Sequence, residues 1–123
     1  MTGDELRDLC LSFAGSEQTF PFGEHTSVFK VADRMFALSA LELAPLRVSL
    51  KCDPGLAEQL REAHPEIIPG YHLNKRHWNT VDLEGGLSDV FVRDLVEDSY
   101  DLVVSSLSRA RRRALHWRPD VAG

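Results

Sequence analysis

The chain has 123 residues and a mass of 13.8 kDa, a length that buries one core without disulfides or metal. Hydrophobic residues make up 43% and charged residues 27%, which excludes a disordered chain. The net charge of −5 is unevenly distributed. Residues 1–108 carry 9 basic and 18 acidic side chains, whereas residues 109–123 carry five arginines and one aspartate. The body should therefore repel nucleic acid, and only the C-terminal end or a local patch should attract it.

Targeting segments are not evident in the sequence. No apolar run approaches the roughly 20 residues of a membrane-spanning helix, and the acidic segment Met1–Glu5 lacks the basic and apolar regions of a secretory signal. We expect a cytoplasmic, monomeric protein with no membrane partner. Cys10 lies on the apolar stripe of a predicted helix and Cys52 at the apolar end of a predicted strand, positions typical of free thiols.

The N-terminal half predicts one helix and then a series of strands. Thr2 and Glu5 form a capping-box pattern for a helix over 3–14. The short connection at Ala32–Arg34 indicates a hairpin. Apolar and β-branched residues then alternate in four segments that predict a meander of three or four antiparallel strands: 17–20, 27–31, 35–40 and 46–52.

A second helix and a last strand follow in the middle of the chain. Asp53 and Pro54 are a capping residue and a first-turn proline, and Pro65 ends the helix that they begin. The segment 67–75 is predicted to be irregular, whereas 77–83 alternates as a strand.

The C-terminal part predicts helices. Apolar residues keep a helical period from Phe91 to Ala114, and Ser88 is placed to cap their first turn. We favour two helices joined near Asp98–Ser99, because Asp98 could cap the second. The element order predicts a single α+β domain over 1–115, followed by a tail over 116–123. In this domain an antiparallel sheet of four to six strands has helices packed on one face.

One segment after the second helix concentrates aromatic, basic and amide side chains. Rings that stack on bases beside cations that meet phosphates suit nucleic acid, and the same composition suits a small anion. A structural role is the alternative, with the tryptophan covering the sheet and the asparagines satisfying turn backbone. The candidate binding residues of this segment are Tyr71, His72, Asn74, Lys75, Arg76, His77, Trp78 and Asn79.

Two lysines on the predicted strands could extend this cluster. Lys30 and Lys51 occupy the phase opposite to the apolar residues of their strands, which predicts that both stand on one face of the sheet. They would then form a basic patch on an acidic protein. The alternative is that lysines on a solvated face only keep the protein soluble.

The run Arg109–Arg113 has two interpretations. At 100° per residue its arginines fan around a helix instead of forming a stripe, which favours a solvated helix end that complements the macrodipole. Contact with nucleic acid or another anion is the other interpretation. The five-residue spacing of His72 and His77 matches no zinc signature, and the chain has no glycine-rich phosphate loop or nucleophile elbow. We expect no metal, no cofactor and no enzymatic activity.

Several short motifs stand in an order and spacing that are familiar as a set. They are Phe20–Gly23, Val28–Val31, Met35–Ala37, Ser49–Pro54, Pro69–Lys75, His77–Asn79 and Ser99–Val103. Over about residues 4–110 the chain thereby resembles the MmcQ/YjbR family of small bacterial proteins. The resemblance implies a CyaY-like α+β fold with a double-wing arrangement and a DNA-binding role. Carried onto this sequence, it selects Lys30, Lys51, His72, Asn74, Lys75, His77, Trp78 and Asn79.

Two functional hypotheses follow. In the first, the sheet face and the loop before Trp78 bind an anionic ligand, DNA above all, with lysines positioning phosphates and Tyr71 and Trp78 stacking or packing. In the second, the protein is an interaction or small-molecule-binding module whose acidic surface excludes nucleic acid.

Overall fold

The computed structural model describes residues 1–115, and the predicted tail over 116–123 lies outside the described residues. The helices are α1 (Gly3–Leu11), α2 (Pro54–Ala63), α3 (Asp89–Ser105) and α4 (Arg109–Ala114). The strands are β1 (Ser16–Thr19), β2 (Ser27–Val31), β3 (Arg34–Ser39), β4 (Arg47–Lys51), β5 (Ile67–Pro69) and β6 (Trp78–Asp82).

The strands form one antiparallel sheet in the order β1-β2-β3-β4-β6-β5. The helices α1, α2 and α3 pack on one face of this sheet, and the core lies between them. Strand residues with their side chains toward the helices are fully or almost fully buried, as Phe29, Val48 and Val81 show. The predicted α+β class, the antiparallel sheet and the placement of helices on one face are confirmed. None of the helices within residues 1–115 is long and apolar enough to span a membrane.

Three side-chain caps confirm the predicted helix starts. The hydroxyl of Thr2 accepts from the Glu5 backbone N–H while the Glu5 carboxylate accepts from the Thr2 N–H. The carboxylate of Asp53 caps α2, and the hydroxyl of Ser88 caps α3 by accepting from the Phe91 N–H at 3.1 Å. Each bond satisfies an N–H that the first turn of a helix leaves without a backbone partner.

The prediction that 67–75 is irregular was wrong for its first three residues. Ile67–Pro69 forms the edge strand β5, in which Ile67 pairs with Val81 and Pro69 with Asn79. Three residues are too few to show alternation in the sequence. The proline suggested a turn, but an edge strand accepts proline because one side of its backbone needs no ladder partner.

The preference for a helix break near Asp98–Ser99 was also wrong. Helix α3 runs through both residues without interruption, and the break comes later, where Ser108 caps α4. The side chain of Ser99 is fully buried against the sheet, and its hydroxyl bonds to strand backbone instead of capping a helix. Its hydroxyl donates to the carbonyl of Phe36 at 2.6 Å and accepts from the backbone N–H of Lys51 at 2.9 Å.

The hydroxyl of Ser99 stands in for a missing step of the β3–β4 ladder. The two strands pair at Ala37 with Leu50 and at Leu38 with Ser49, so Phe36 and Lys51 occupy the next position along. The register between β2 and β3 shifts beside Phe36, as in a β-bulge. The Phe36 carbonyl and the Lys51 N–H are therefore joined through the serine.

A cluster of three rings fixes α1 and α3 against the sheet. Phe13 stacks on Tyr100 with ring centroids 4.7 Å apart, and Phe36 meets Tyr100 edge to face at 5.4 Å. The hydroxyl of Tyr100 donates to the Ala14 carbonyl at 2.6 Å, which satisfies the polar end of a buried ring. These contacts join α1 and α3 to the same face of the sheet, and within residues 1–115 no helix covers the opposite face.

Replacing Ser99 with alanine should destabilise the protein by about 2–3 kcal/mol, because two buried backbone groups lose their partner. Urea unfolding monitored by circular dichroism measures the change. Ser105→Ala is the matched control, since within residues 1–115 that exposed hydroxyl bonds only to the Leu102 carbonyl of its own helix, and its effect should stay within about 0.5 kcal/mol. Equal effects of the two substitutions would contradict the bridging role of Ser99.

Candidate functional site: the outer face of the sheet

Side chains of β4 and β6 alternate between the helix-covered face and the opposite face. Val48 and Leu50 belong to the core, so the residues between them point the other way. We define the outer face by the side chains that share this second phase and by their cross-strand neighbours. Its pairs on these two strands are Arg47 with Asp82, Ser49 with Thr80, and Lys51 with Trp78.

The register carries Lys30 onto the same outer face. Val28 pairs with Leu38, and Leu38 pairs with Ser49 of the outer face. Lys30 lies two residues after Val28 and so shares its side of the sheet. With β3 between them, Lys30 and Lys51 stand about 10 Å apart across the sheet. The structure therefore brings together two lysines that are 21 positions apart in the sequence.

The loop after β5 folds back over the outer face. The backbone N–H of Tyr71 donates to the hydroxyl of Thr80 at 3.0 Å. Gly70 permits this return, because a Cβ there would lie 2.7 Å from the Cβ of Trp78. His72 has a φ of +58°, and its ring lies beside that of Tyr71 with centroids 4.0 Å apart. The Tyr71 side chain is 65% exposed, so its ring is accessible to a ligand.

The rest of the loop is held by internal hydrogen bonds. The side-chain carbonyl of Asn74 accepts from the Arg76 N–H at 2.9 Å, and the backbone carbonyl of Asn74 accepts from the Trp78 N–H at 3.0 Å. The ammonium group of Lys75 donates to the Gly70 carbonyl at 3.3 Å. Asn74 and Lys75 therefore shape the loop, while the exposed Arg76 keeps its side chain at the surface and His77 is half-buried.

Trp78 and Asn79 are neighbours in sequence but lie on opposite faces of the sheet. Trp78 is only 9% exposed, so the proposed stacking of its ring on a ligand does not fit the structure, and packing remains. Asn79 is 3% exposed and faces α2, where its amide donates to the Ala57 carbonyl and accepts from Arg61. Asn79 is thus a structural residue that is not accessible from the outer face.

A cleft of about 590 Å³ lies on the outer face. Its floor includes Leu38, Ser49 and Thr80, and the two hydroxyls are joined by a 2.8 Å hydrogen bond. Three loops wall it, at residues 22–26, 40–45 and 71–73. Two aromatic side chains that line the cleft, Phe22 and Tyr71, have exposed fractions of 68% and 65%.

Sequence reasoning missed part of this cleft. Phe22 and Leu43 were not selected because isolated apolar residues in loops carry no periodic signal, although exposures of 68% and 65% mark them as unusual. Arg47 was not predicted because the sequence shows only that it points outward from β4. Two of the three loops that make it part of a cleft are distant in the sequence.

The outer face carries cations that have no ion-pair partner. Within residues 1–115, none of Lys30, Arg47 and Lys51 forms an ion pair, although Glu17 is the cross-strand neighbour of Lys30 and Asp82 that of Arg47. Lys30 and Lys51 are partly exposed and Arg47 is exposed, so these cations are accessible to a negatively charged ligand. The outer face thus carries three cations and two carboxylates, whereas residues 1–108 as a whole carry 9 basic and 18 acidic side chains.

The helix-covered face offers a different environment around Cys52. A cavity of about 140 Å³ between α2, α3 and the sheet is bordered by Cys52 and Asp98. Burial raises the pKa of the Cys52 thiol, and the nearby Asp53 and Asp98 carboxylates raise it further. Burial also raises the pKa of Asp98, with Asp101 and Asp94 adding to the effect. A thiol in such surroundings is a poor nucleophile at neutral pH.

Fold and cleft together define a small α+β protein whose six-stranded antiparallel sheet has helices on one face and a loop-walled cleft on the other. A family model described as YjbR matches residues 11–102. The chain belongs to the YjbR family, as its sequence motifs indicated.

Relatives and solved structures agree with this membership. The YjbR protein of Escherichia coli K12 is 40% identical over 116 residues, which cover 94% of this chain and 98% of that protein. The YbdF protein of Escherichia coli O157:H7 is 37% identical over 106 residues, 86% of this chain and 87% of that protein. A Deinococcus radiodurans protein with a DUF419 domain superposes with a TM-score of 0.91 at 44% identity, covering 99% of this chain and 93% of that one.

The two thiols should differ in reactivity, and neither should label rapidly in the native protein. Cys10 is fully buried and burial raises its pKa to about 12, so it should react only after unfolding. Cys52, half-buried with a raised pKa, should react at pH 8 more slowly than free cysteine, and faster as pH rises. Labelling with a chromogenic disulfide in the presence and absence of urea measures both. In Cys52→Ser the native protein should become unreactive; rapid native labelling of that variant would contradict the burial of Cys10.

Proposed function

We propose that the protein binds DNA on the outer face of its sheet, without catalysing a reaction. The observation that carries the proposal is the combination of an aromatic-walled cleft with unpaired cations on one continuous surface. Sheet faces that bind nucleic acid use aromatic side chains as stacking platforms and cations to follow the phosphates. The double-wing arrangement implied by the family resemblance would correspond to the loops that wall the cleft.

The roles of individual residues follow from their exposure. Phe22 and Tyr71 present accessible rings at the rim, so they are the stacking candidates, with His72 beside the tyrosine. Lys30 and Lys51 would contact phosphates. Arg47 lines the cleft itself, where its planar guanidinium suits either a phosphate or a base edge.

Because the protein as a whole is acidic, the affinity for DNA should depend strongly on which part of the surface the DNA contacts. A net charge of −5 repels a polyanion at long range, and salt screens this repulsion and the local attraction alike. Productive contact would therefore be confined to the outer face and its immediate surroundings. An affinity in the micromolar range, typical of contacts to a few phosphates, is the expected strength at low salt.

A second candidate function is favoured by the volume of the cleft. At about 590 Å³ it lies within the range of small-molecule sites, and its mixture of rings, hydroxyls and one arginine suits a small phosphorylated or carboxylated ligand. A thermal-shift screen with nucleotides, sugar phosphates and inorganic phosphate tests this candidate. Stabilisation by a mononucleotide, without binding of oligonucleotides, would establish it in place of the first.

Fluorescence anisotropy with labelled single- and double-stranded DNA at about 50 and 200 mM salt tests the DNA proposal, because phosphate contacts lose affinity steeply over that range. The double variant Lys30→Ala/Lys51→Ala should bind more weakly and lower the slope of log affinity against log salt by about 1.4–1.8, the value for two phosphate contacts. Tyr71→Ala should lower affinity by about 1–3 kcal/mol, the worth of one stacked base, without changing that slope.

Arg93→Glu is the matched control for the lysine variant, because it changes the net charge by the same amount at an exposed position on α3, on the helix-covered side. Unaltered binding by Lys30→Ala/Lys51→Ala, or an equal loss in Arg93→Glu, would count against the outer face. No binding of any DNA by the unaltered protein at the lower salt would end the proposal.

A further inference from the structure

We propose that α4 and the β2–β3 hairpin form a second phosphate-binding surface, which receives the backbone of a nucleic-acid strand that leaves the cleft. We call it the basic ridge. This inference rests on the proposed function and extends it to a region that the outer face does not include. The side chains of the basic ridge are Arg34, Arg109, Arg111, Arg112 and Arg113.

Tertiary contacts join two segments that are more than 70 positions apart. The guanidinium of Arg111 donates to the Ala32 carbonyl in the hairpin turn at 3.2 Å. In the reverse direction, the guanidinium of Arg34 donates to the hydroxyl of Ser106, just before α4, at 2.9 Å. The hairpin and the arginine-rich helix are thereby fixed side by side.

Two arginines of the basic ridge remain uncommitted. Arg111 and Arg112 hold the hairpin and the end of α3, the latter through a 3.2 Å bond to the Ser105 carbonyl. Arg109 and Arg113 are exposed and make no side-chain hydrogen bond or ion pair with any described residue. Their guanidinium groups are free to meet a ligand.

The charge balance of the basic ridge favours an anion. The segments that form it, residues 32–34 and 108–115, contain five arginines and one carboxylate, Asp33. The α4 macrodipole would account for cations in the last turn of that helix. It would not account for Arg34, which the hairpin contributes. Positive charge concentrated on this surface of an acidic protein matches the repeated negative charge of a phosphodiester backbone.

Strand β3 leads from the cleft to the basic ridge. Arg34 pairs with the core residue Val31 and donates to Ser106, so the basic ridge begins on the helix-covered side, around the hairpin turn from the outer face. Leu38 lies in the floor of the cleft and Arg34 begins β3, a separation of about 14 Å along the strand. At about 3.4 Å per nucleotide in a stacked strand, four nucleotides span this distance. A tetranucleotide in the cleft would therefore end before it passed around the hairpin turn to the arginines of α4, whereas a strand of about twelve nucleotides is long enough to reach both surfaces.

Anisotropy titrations with single-stranded tetranucleotides and dodecanucleotides of DNA test the inference. In Arg109→Ala/Arg113→Ala the affinity for the dodecanucleotide should fall by about tenfold at low salt, and the salt slope should fall by about 1.4. Binding of the tetranucleotide should not change. Arg93→Glu again changes the net charge by the same amount, at the far end of α3 about 18 Å along the helix, and should affect the binding of neither length. Circular dichroism is the check that both variants are folded.

The outcomes separate this inference from the proposed function. If the unaltered protein binds neither length, the proposed function fails and the basic ridge fails with it. If the protein binds both lengths and the double arginine variant retains the affinity and salt slope for the dodecanucleotide, the cleft stands and the basic ridge is wrong. An equal loss for both lengths, or an equal loss in Arg93→Glu, would likewise overturn the basic ridge by showing a general effect of charge.

Discussion

The hydroxyl of Ser99 is the interaction on which the arrangement of the sheet most depends. It occupies the position where the ladder between β3 and β4 would continue, and it joins the Phe36 carbonyl to the Lys51 N–H. A single buried side chain on α3 thereby fixes the central helix to the middle of the sheet. It also fixes the backbone at Lys51, whose side chain emerges on the other side.

The two faces of the sheet carry different kinds of side chain, because successive residues of a strand point to opposite faces. Apolar residues on one face build a dry core with α1 and α3, whereas the other face carries hydroxyls, cations and a tryptophan under a returning loop. Trp78 and Asn79 show this separation most clearly. They are consecutive residues, yet the side chain of Trp78 lies on the outer face and that of Asn79 contacts α2. A group of polar residues that is continuous in sequence is divided by the sheet into ligand-accessible and structural members.

Local charge matters more here than net charge. The acidic side chains outnumber the basic ones over the whole chain, yet the register gathers three cations on the outer face, and tertiary contacts add the arginines of α4 beside the hairpin. Glu17 and Asp82 are the cross-strand neighbours of Lys30 and Arg47, but within residues 1–115 neither forms an ion pair with them. Such a distribution allows anion binding at a defined place while the rest of the surface repels polyanions, which favours specific position over general affinity.

The sequence by itself determined the elements that depend on local chemistry. Capping residues marked three helix starts, and alternation marked β2, β3, β4 and β6. The order of these elements predicted the α+β class, and ordered motifs identified the YjbR family. Outward phase placed Lys30 and Lys51 on one face correctly. Only the tertiary structure decided the role of Ser99, the short strand β5, the burial of Trp78 and Asn79, and the meeting of Arg111 with the hairpin turn. Each of these depends on which distant backbone group lies opposite a side chain, and local periodicity contains no information on that because it describes a residue's neighbours along the chain and not across the fold.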